Sequence, residues 1–129
     1  MEWRIKKKKE VADSYIEISA GRIGKDILLC VEGGEKPHVG CVVQAVPRLS
    51  LRGDGSRSTT ASVLNLTGHK DEYLCRKLAE KVSGSLGVVT VCTGGFHIDN
   101  ITKEQIKEVM QAAEEITEQI IEFWLHQPC

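Results

Sequence analysis

The sequence lacks an excess of charge of either sign, any long apolar run and any abundance of aromatic residues. It has 17 Lys and Arg against 18 Asp and Glu, so the formal net charge is −1 and no overall field favours nucleic acid or an anionic membrane. Its apolar runs are far shorter than the roughly 20 residues that a membrane-spanning helix needs. The basic N-terminus has no apolar segment behind it, so we expect neither a secretion signal nor a membrane anchor.

The cysteines do not have the pattern of a disulfide framework or a zinc site. There are five, an odd number, and no two have the C-x-x-C spacing. This pattern argues against a disulfide scaffold and a thiolate zinc site, and it predicts a reducing, cytoplasmic location. Three of the five stand in apolar, strand-like runs, where a free cysteine behaves as a small core residue. The five are Cys30, Cys41, Cys75, Cys92 and Cys129.

Size and composition predict one globular domain spanning residues 1–129. With 41% apolar and 27% charged residues, a chain of 129 residues can bury a single core. A charged run occupies residues 6–10, before the first alternating segment. We therefore expect residues 1–11 to be a solvated, disordered basic tail.

Alternation and apolar runs predict four strands in the first half of the chain. Residues 15–20 alternate apolar and polar side chains, residues 27–31 and 39–46 are apolar runs, and residues 59–66 alternate again. A polar loop at residues 48–57 precedes the fourth strand.

The second half of the chain predicts two helices separated by one more strand. Apolar residues at four-residue spacing indicate a helix over residues 70–86, and residues 88–92 form a buried strand. Thr102 and Gln105 form a capping box that begins the last helix. The order ββββαβα defines an α+β domain, with an antiparallel-led mixed sheet of about five strands and both helices on one face.

Three glycine and histidine clusters, each at the end of a predicted strand, contain the residues most informative about function. If strands two, three and four form consecutive hairpins, the first two clusters share one edge of the sheet. The crossover from strand four through a helix to strand five makes those two strands parallel and brings the third cluster to the same edge. The clusters are Gly33, Gly34, His38 and Gly40; Gly68, His69, Lys70 and Asp71; and Gly94, Gly95, His97, Asp99 and Asn100.

The edge formed by these three clusters, which we call the rim, is predicted to bind an anionic organic ligand. Both helices begin there, and helix N-termini offer free N–H groups and positive dipole ends to a phosphate or carboxylate. Three histidines and Lys70 add donors and positive charge, and glycines let a ligand approach the backbone. Considered singly, Asp71 is also explained as a helix-start residue, and Asp99 or Asn100 as turn residues.

Two other classes of protein are compatible with the same residues. His38, His69, His97 and Asp99 have the donor atoms of zinc or iron ligands and would make a metal-dependent hydrolase, although no spacing such as H-x-x-x-H supports this. A non-catalytic assembly scaffold would use the rim for neither metal nor cofactor. A nucleophilic site is disfavoured, because Cys92 lies in a predicted buried strand and no Ser stands at a strand-to-helix elbow.

At the three clusters the sequence resembles the prenylated-flavin chaperone family. The resemblance covers about residues 12–125 and rests on the glycine and histidine motifs in this order. It implies a fold similar to that of small proteasome-assembly chaperones. It also implies a chaperone or accessory subunit that binds prenylated flavin mononucleotide (prenylated FMN) or FMN for a UbiD-type decarboxylase. The implied cofactor-binding residues are Gly34, His38, Gly40, Gly68, His69, Lys70, Asp71, Gly95, His97, Asp99 and Asn100.

The residues themselves indicate no catalytic machinery, since neither a carboxylate pair nor a cofactor-anchoring lysine is evident. We therefore expect an accessory protein and not an enzyme, although members of the family are sometimes named as decarboxylase subunits. Aromatic residues make up only 5% of the chain, and near the rim only Phe96 and Tyr73 are available to stack on a flavin ring. A sheet edge or face that two helices leave uncovered predicts a homodimer.

Overall fold

A computed structural model describes residues 1–65 and 71–127 and confirms the predicted α+β class. The strands are β1 (Trp3–Val11), β2 (Ser14–Ile23), β3 (Asp26–Gly34), β4 (Cys41–Leu49), β5 (Arg57–Asn65) and β6 (Thr90–His97). The helices are α1 (Asp71–Leu86) and α2 (Lys103–Leu125). Within these described residues the six strands form one mixed sheet in the order β1-β2-β3-β6-β4-β5.

The N-terminal residues correct the expectation of a disordered tail at residues 1–11, because β1 is an edge strand. It pairs antiparallel with β2, with Lys6 opposite Ser19 and Lys8 opposite Glu17. Lys6 also lies 3.5 Å from Glu17, and the Lys8 ammonium lies 4.6 Å from the centre of the Tyr15 ring. Lysine stems lie along a sheet while their charges stay in water, so a run of charge is compatible with a strand. The sheet consequently has one strand more than the sequence predicts.

The order of the strands also differs from the consecutive hairpins that the sequence predicts. Strand β6 lies between β3 and β4, parallel to β3 and antiparallel to β4. An apolar strand buries most surface in the middle of a sheet, where it has neighbours on both sides. Because β4 is antiparallel to both β5 and β6, β5 and β6 run parallel, as the predicted crossover requires.

Several element ends differ from the predicted ones by a few residues. Strand β4 begins at Cys41 and not at residue 39, so His38 and Gly40 lie in the loop before it. It continues to Leu49, which shortens the predicted loop at residues 48–57. The predicted strand end at residue 66 and helix start at residue 70 lie outside the described residues.

Both helices pack on the same face of the sheet and enclose the core, as predicted. Helix α1 lies over β4, β5 and β6, and α2 lies over β1 and β2. The largest fully buried side chains, each stabilising the fold by about 1.5–3 kcal/mol through its removal from water, come from both layers. They include Ile16, Ile18, Leu29, Leu78 and Ile120. Half-buried side chains such as Leu28, Val42 and Val91 alternate with the core residues and therefore lie on the opposite face.

Helix α2 begins where the sequence predicts. The Thr102 hydroxyl accepts a hydrogen bond from the Gln105 N–H at 3.1 Å, and the Gln105 side chain accepts one from the Thr102 N–H at 2.9 Å. This reciprocal pair satisfies two backbone donors at the helix start. In the part of the chain that the structure describes, neither helix is long and apolar enough to cross a membrane.

Candidate functional site

The strand order brings two of the three clusters of the rim together. The ends of β3 and β6 lie side by side, and the Glu35 N–H donates to the His97 carbonyl at 2.7 Å. On the other side of β6, the Gly40 N–H donates to the Gly94 carbonyl at 2.9 Å. The His38 and His97 rings are consequently neighbours, with centres 6.5 Å apart.

His38, in the loop between β3 and β4, is held through both ring nitrogens. Its Nδ1–H donates to the Lys36 carbonyl at 2.9 Å, and its Nε2–H donates to Asp71 Oδ2 at 2.7 Å. Both nitrogens carry a proton when both bonds are made, so His38 is then a cation beside a carboxylate. The hydrogen bond to Lys36, followed by the interactions with Asp71, raises the pKa of His38, although partial burial opposes the shift.

Asp71, the first residue of α1, joins three parts of the structure. Its side chain is 6% exposed, and it is the one buried carboxylate among the described residues. Its Oδ1 accepts a hydrogen bond from the Phe96 N–H in β6 at 2.9 Å, while its Oδ2 accepts from His38. The start of a helix also favours a negative charge. Asp71 therefore connects α1 to β6 and to the loop that contains His38, which is more than helix capping.

Close packing explains three glycines of the rim. A Cβ at Gly40 would lie 2.1 Å from Asp71 Oδ2, and a Cβ at Gly95 would lie 2.8 Å from the His38 ring. Gly34 has a φ of 79°, which favours glycine, and a Cβ there would lie 2.2 Å from a carbonyl oxygen of β6. In the direction of a Cβ, the space beside these glycines is filled by the chain itself.

The end of the third cluster forms an exposed group of charges. The His97 Nε2–H donates to Asp99 Oδ1 at 2.8 Å, and the Lys36 ammonium lies 4.0 Å from Asp99 Oδ2. The hydrogen bond from His97, followed by the charge of Lys36, lowers the pKa of Asp99. Asn100 has a φ of 56°, in the left-handed region that asparagine tolerates in turns. Asp99 therefore interacts with the His97 ring and with the Lys36 ammonium, and Asn100 turns the chain towards α2.

Most of the second cluster has no described position. Gly68, His69 and Lys70 lie outside the described residues, so Asp71 represents this cluster in the structure. Among the described residues no group of three His, Cys, Asp or Glu side chains converges as a metal site requires. The metal alternative also depends on His69, which that finding does not cover.

An apolar cavity of about 320 Å³, which the sequence does not predict, adjoins the rim on the helix side of the sheet. It lies between the start of α1, the end of β6 and the first turns of α2. Asp71 belongs both to its wall and to the rim, and Phe96 of the wall lies between the rim residues Gly95 and His97. The other lining residues are Tyr73, Leu74, Ile101, Ile106, Val109 and Met110.

The sequence does contain a signal for part of this wall. Ile101 and Ile106 occupy the positions on either side of the Thr102 cap that form a hydrophobic staple. Val109 and Met110 follow one turn later on the same stripe. The pattern predicts that these side chains face inward, but it does not show that space remains between them.

The fold and the site together define a small α+β domain with an apolar cavity beside a histidine-containing rim. The family model of the prenylated flavin chaperone LpdD-like domain matches residues 10–125, and the chain belongs to this family. Protein LpdD of Lactiplantibacillus plantarum is 29% identical over 108 residues, which cover 80% of this chain and 71% of that protein.

A solved structure has a similar fold. It is the crystal structure of a novel chaperone complex for yeast 20S proteasome assembly, with a TM-score of 0.54 and 15% identity over 90% of this chain and 92% of that chain. This similarity confirms the fold that the family resemblance implies. Membership of this family indicates that the protein is a chaperone and not an enzyme, as the sequence predicts.

Proposed function

We propose that this protein binds prenylated FMN, or a related phosphate-bearing flavin, and acts as the chaperone or accessory subunit of a UbiD-type decarboxylase. Membership of the prenylated flavin chaperone family over residues 10–125 is the observation that carries the proposal. A cytoplasmic location is part of the proposal, and the free state of the four cysteines among the described residues agrees with it.

The described part of the rim has the charges that a phosphate-bearing ligand requires. His38 is hydrogen-bonded as a cation, the Lys36 ammonium lies 4.0 Å from Asp99, and the His97 ring centre lies 6.5 Å from that of His38. Cationic donors bind phosphate oxygens more strongly than neutral donors do. Asp71 is paired with His38 and Asp99 with the Lys36 ammonium, so these carboxylates oppose a phosphate less than free carboxylates would. We propose that the remaining residues of the motifs contribute to the same site: Gly34, Gly40, Gly68, His69, Lys70, Gly95 and Asn100.

The identity of the ligand can be tested by comparing the binding of three flavins. FMN and prenylated FMN should bind and stabilise the fold by mass action, whereas riboflavin, which lacks the phosphate, should bind more weakly. Lys70→Ala or His69→Ala should each remove a charged hydrogen bond of about 1.5–3 kcal/mol and weaken binding roughly tenfold or more. Lys25→Ala is the matched control, because Lys25 lies in the turn between β2 and β3, at the opposite end of the sheet. Equal binding of riboflavin would contradict a phosphate site.

Reconstitution of an apo-decarboxylase of the UbiD type tests the accessory role. The protein loaded with prenylated FMN should activate the enzyme faster than free cofactor does, and the Lys70 and His69 variants should lose this advantage. Undiminished activation by both variants would favour the assembly scaffold instead. Stoichiometric zinc or iron in protein purified without chelator would favour the metal-dependent hydrolase.

We also propose that the protein is a homodimer. The sheet face opposite the helices includes Leu28, Val42 and Val91, and Leu64, which pairs with Val42, is 75% exposed. An uncovered apolar sheet face is stabilised when a second copy covers it. Leu64→Glu should shift the protein towards monomer in analytical ultracentrifugation, whereas Leu51→Glu, in an exposed loop, should not. A strictly monomeric wild type at micromolar concentration would contradict this.

A further inference from the structure

The apolar cavity between α1 and α2 has the wrong chemistry for a phosphate and the right chemistry for an apolar ring. Aliphatic side chains and the Phe96 ring form most of its wall. Among its described lining residues Asp71 is the charged one, and both of its oxygens accept hydrogen bonds from the protein. A charged group that entered would lose its water without new partners, whereas an apolar group would be stabilised by leaving water.

The size of the cavity fits one end of a flavin. Its volume of about 320 Å³ lies near the lower end of the range for ligand cavities, about 300–1,000 Å³. We expect a flavin to insert one end here and to keep its phosphate end outside, because the wall is mostly apolar. Asp71 marks where the two parts meet, since one of its oxygens bonds Phe96 in the cavity wall and the other bonds His38 in the rim.

The mouth of the cavity exposes large side chains to water. Tyr73 is 80% exposed and Ile106 is 38% exposed, and both line the cavity. A ligand seated across the mouth would cover part of this surface, and burial of apolar surface is the main source of affinity for a ring system.

Resting on the proposed function, we infer that this cavity receives the apolar end of the flavin, including the hydrocarbon that prenylation adds, and that it makes the protein select prenylated FMN over FMN. Each buried methylene-sized group improves affinity by about fourfold. Burial of two or three such groups of the added hydrocarbon gives a preference of roughly 15- to 60-fold.

The affinities of prenylated FMN and FMN, measured anaerobically by calorimetry, test whether the protein selects prenylated FMN. Ile106→Ala should reduce the preference for prenylated FMN by roughly tenfold, while the preference for FMN over riboflavin remains. Ile106 is partly exposed at the mouth, so the fold should survive this change. Leu125→Ala is the matched control, because Leu125 is an exposed aliphatic residue at the far end of the same helix.

Methyl NMR tests the location independently of affinity. The chain has two methionines, Met1 and Met110. Met110 lines the cavity, whereas Met1 lies beside Gly21, away from the rim. In protein with labelled methionine methyls, prenylated FMN should shift the Met110 signal and leave the Met1 signal in place.

The outcomes separate this inference from the function on which it rests. Phosphate-dependent binding of FMN and prenylated FMN with equal affinity, and an unmoved Met110 signal, would overturn the cavity inference and leave the proposed function intact. No binding of either phosphorylated flavin would overturn the proposed function and the inference with it.

Discussion

Replacing Asp71 with asparagine separates the charge of this residue from its shape. In Asp71→Asn the side-chain oxygen can still accept the hydrogen bond from the Phe96 N–H, but the new amide group faces the His38 Nε2–H. Two donors cannot hydrogen-bond to each other, so His38 must lose its Nε2 proton or turn away. The pKa of His38 in the variant should therefore be lower than in the wild type.

The expected loss of stability follows from the burial of the pair formed by His38 and Asp71. Asp71 is 6% exposed and His38 is 24% exposed, so the lost interaction is a charge-assisted hydrogen bond with little solvent screening. Such a bond contributes about 1.5–3 kcal/mol to the free energy of unfolding. Asp71→Ala should cost about 1–3 kcal/mol more, because it also leaves the Phe96 N–H without its acceptor. Asp99→Asn is the matched control, since Asp99 is 57% exposed in its pair with His97 and exposed pairs contribute little.

The pH dependence of the free energy of unfolding tests whether the charge of His38 is the cause of this stabilisation. The pKa of His38 is raised in the folded protein above its unfolded value of about 6.5, so protonation stabilises the fold. This stabilisation is complete below the unfolded pKa and is lost as pH rises through the folded pKa. Urea unfolding followed by tryptophan fluorescence should show the largest gap between wild type and Asp71→Asn near about pH 5 and a smaller gap near about pH 8. A gap that is absent, or that grows with pH, would refute the reasoning.

Four other substitutions have outcomes that thermal unfolding or flavin titration can check. Gly40→Ala should destabilise the protein by about 1–3 kcal/mol, because its Cβ would lie 2.1 Å from Asp71 Oδ2. Gly84→Ala, in α1 with no closer neighbour than 3.7 Å, should instead stabilise it by about 0.5–1 kcal/mol, and equal effects at the two sites would contradict the packing argument. Thr102→Ala should cost about 1 kcal/mol through loss of the α2 cap, and a neutral result would mean that the capping box contributes nothing. His97→Ala should weaken FMN binding roughly tenfold without unfolding the protein, and unchanged binding would remove His97 from the proposed site.

Much of the fold could be predicted because its signals are local. Thr102 and Gln105 lie three residues apart, so a short segment is enough to predict the start of α2. The position of β6 between β3 and β4 could not be predicted, because pairing between distant strands leaves no mark in the pattern of either strand. Strand β1 could not be predicted, because its run of lysines lacks the alternation of apolar and polar residues that indicates β2.

The candidate site was predictable at the level of strand ends and not at the level of contacts. The parallel crossover of β5, α1 and β6 is enough to bring Gly95 and His97 towards the loop of His38. The hydrogen bond between His38 and Asp71 joins residues 33 positions apart, and no local spacing encodes it. The cavity beside Phe96 could not be predicted either, because it is a space left between side chains.

The position of β6 between β3 and β4 also governs the order in which the sheet assembles. Strands β1, β2 and β3 are consecutive antiparallel neighbours, as are β4 and β5, so each group can form from short-range contacts. Strand β6 comes after α1 in the chain, and its pairing with both groups closes long loops, which is slow. The ends of β3, β4 and β6 meet only at that step. We therefore expect the rim to form late in folding, and we expect a ligand bound there to stabilise the pairing of β6 with β3 and β4.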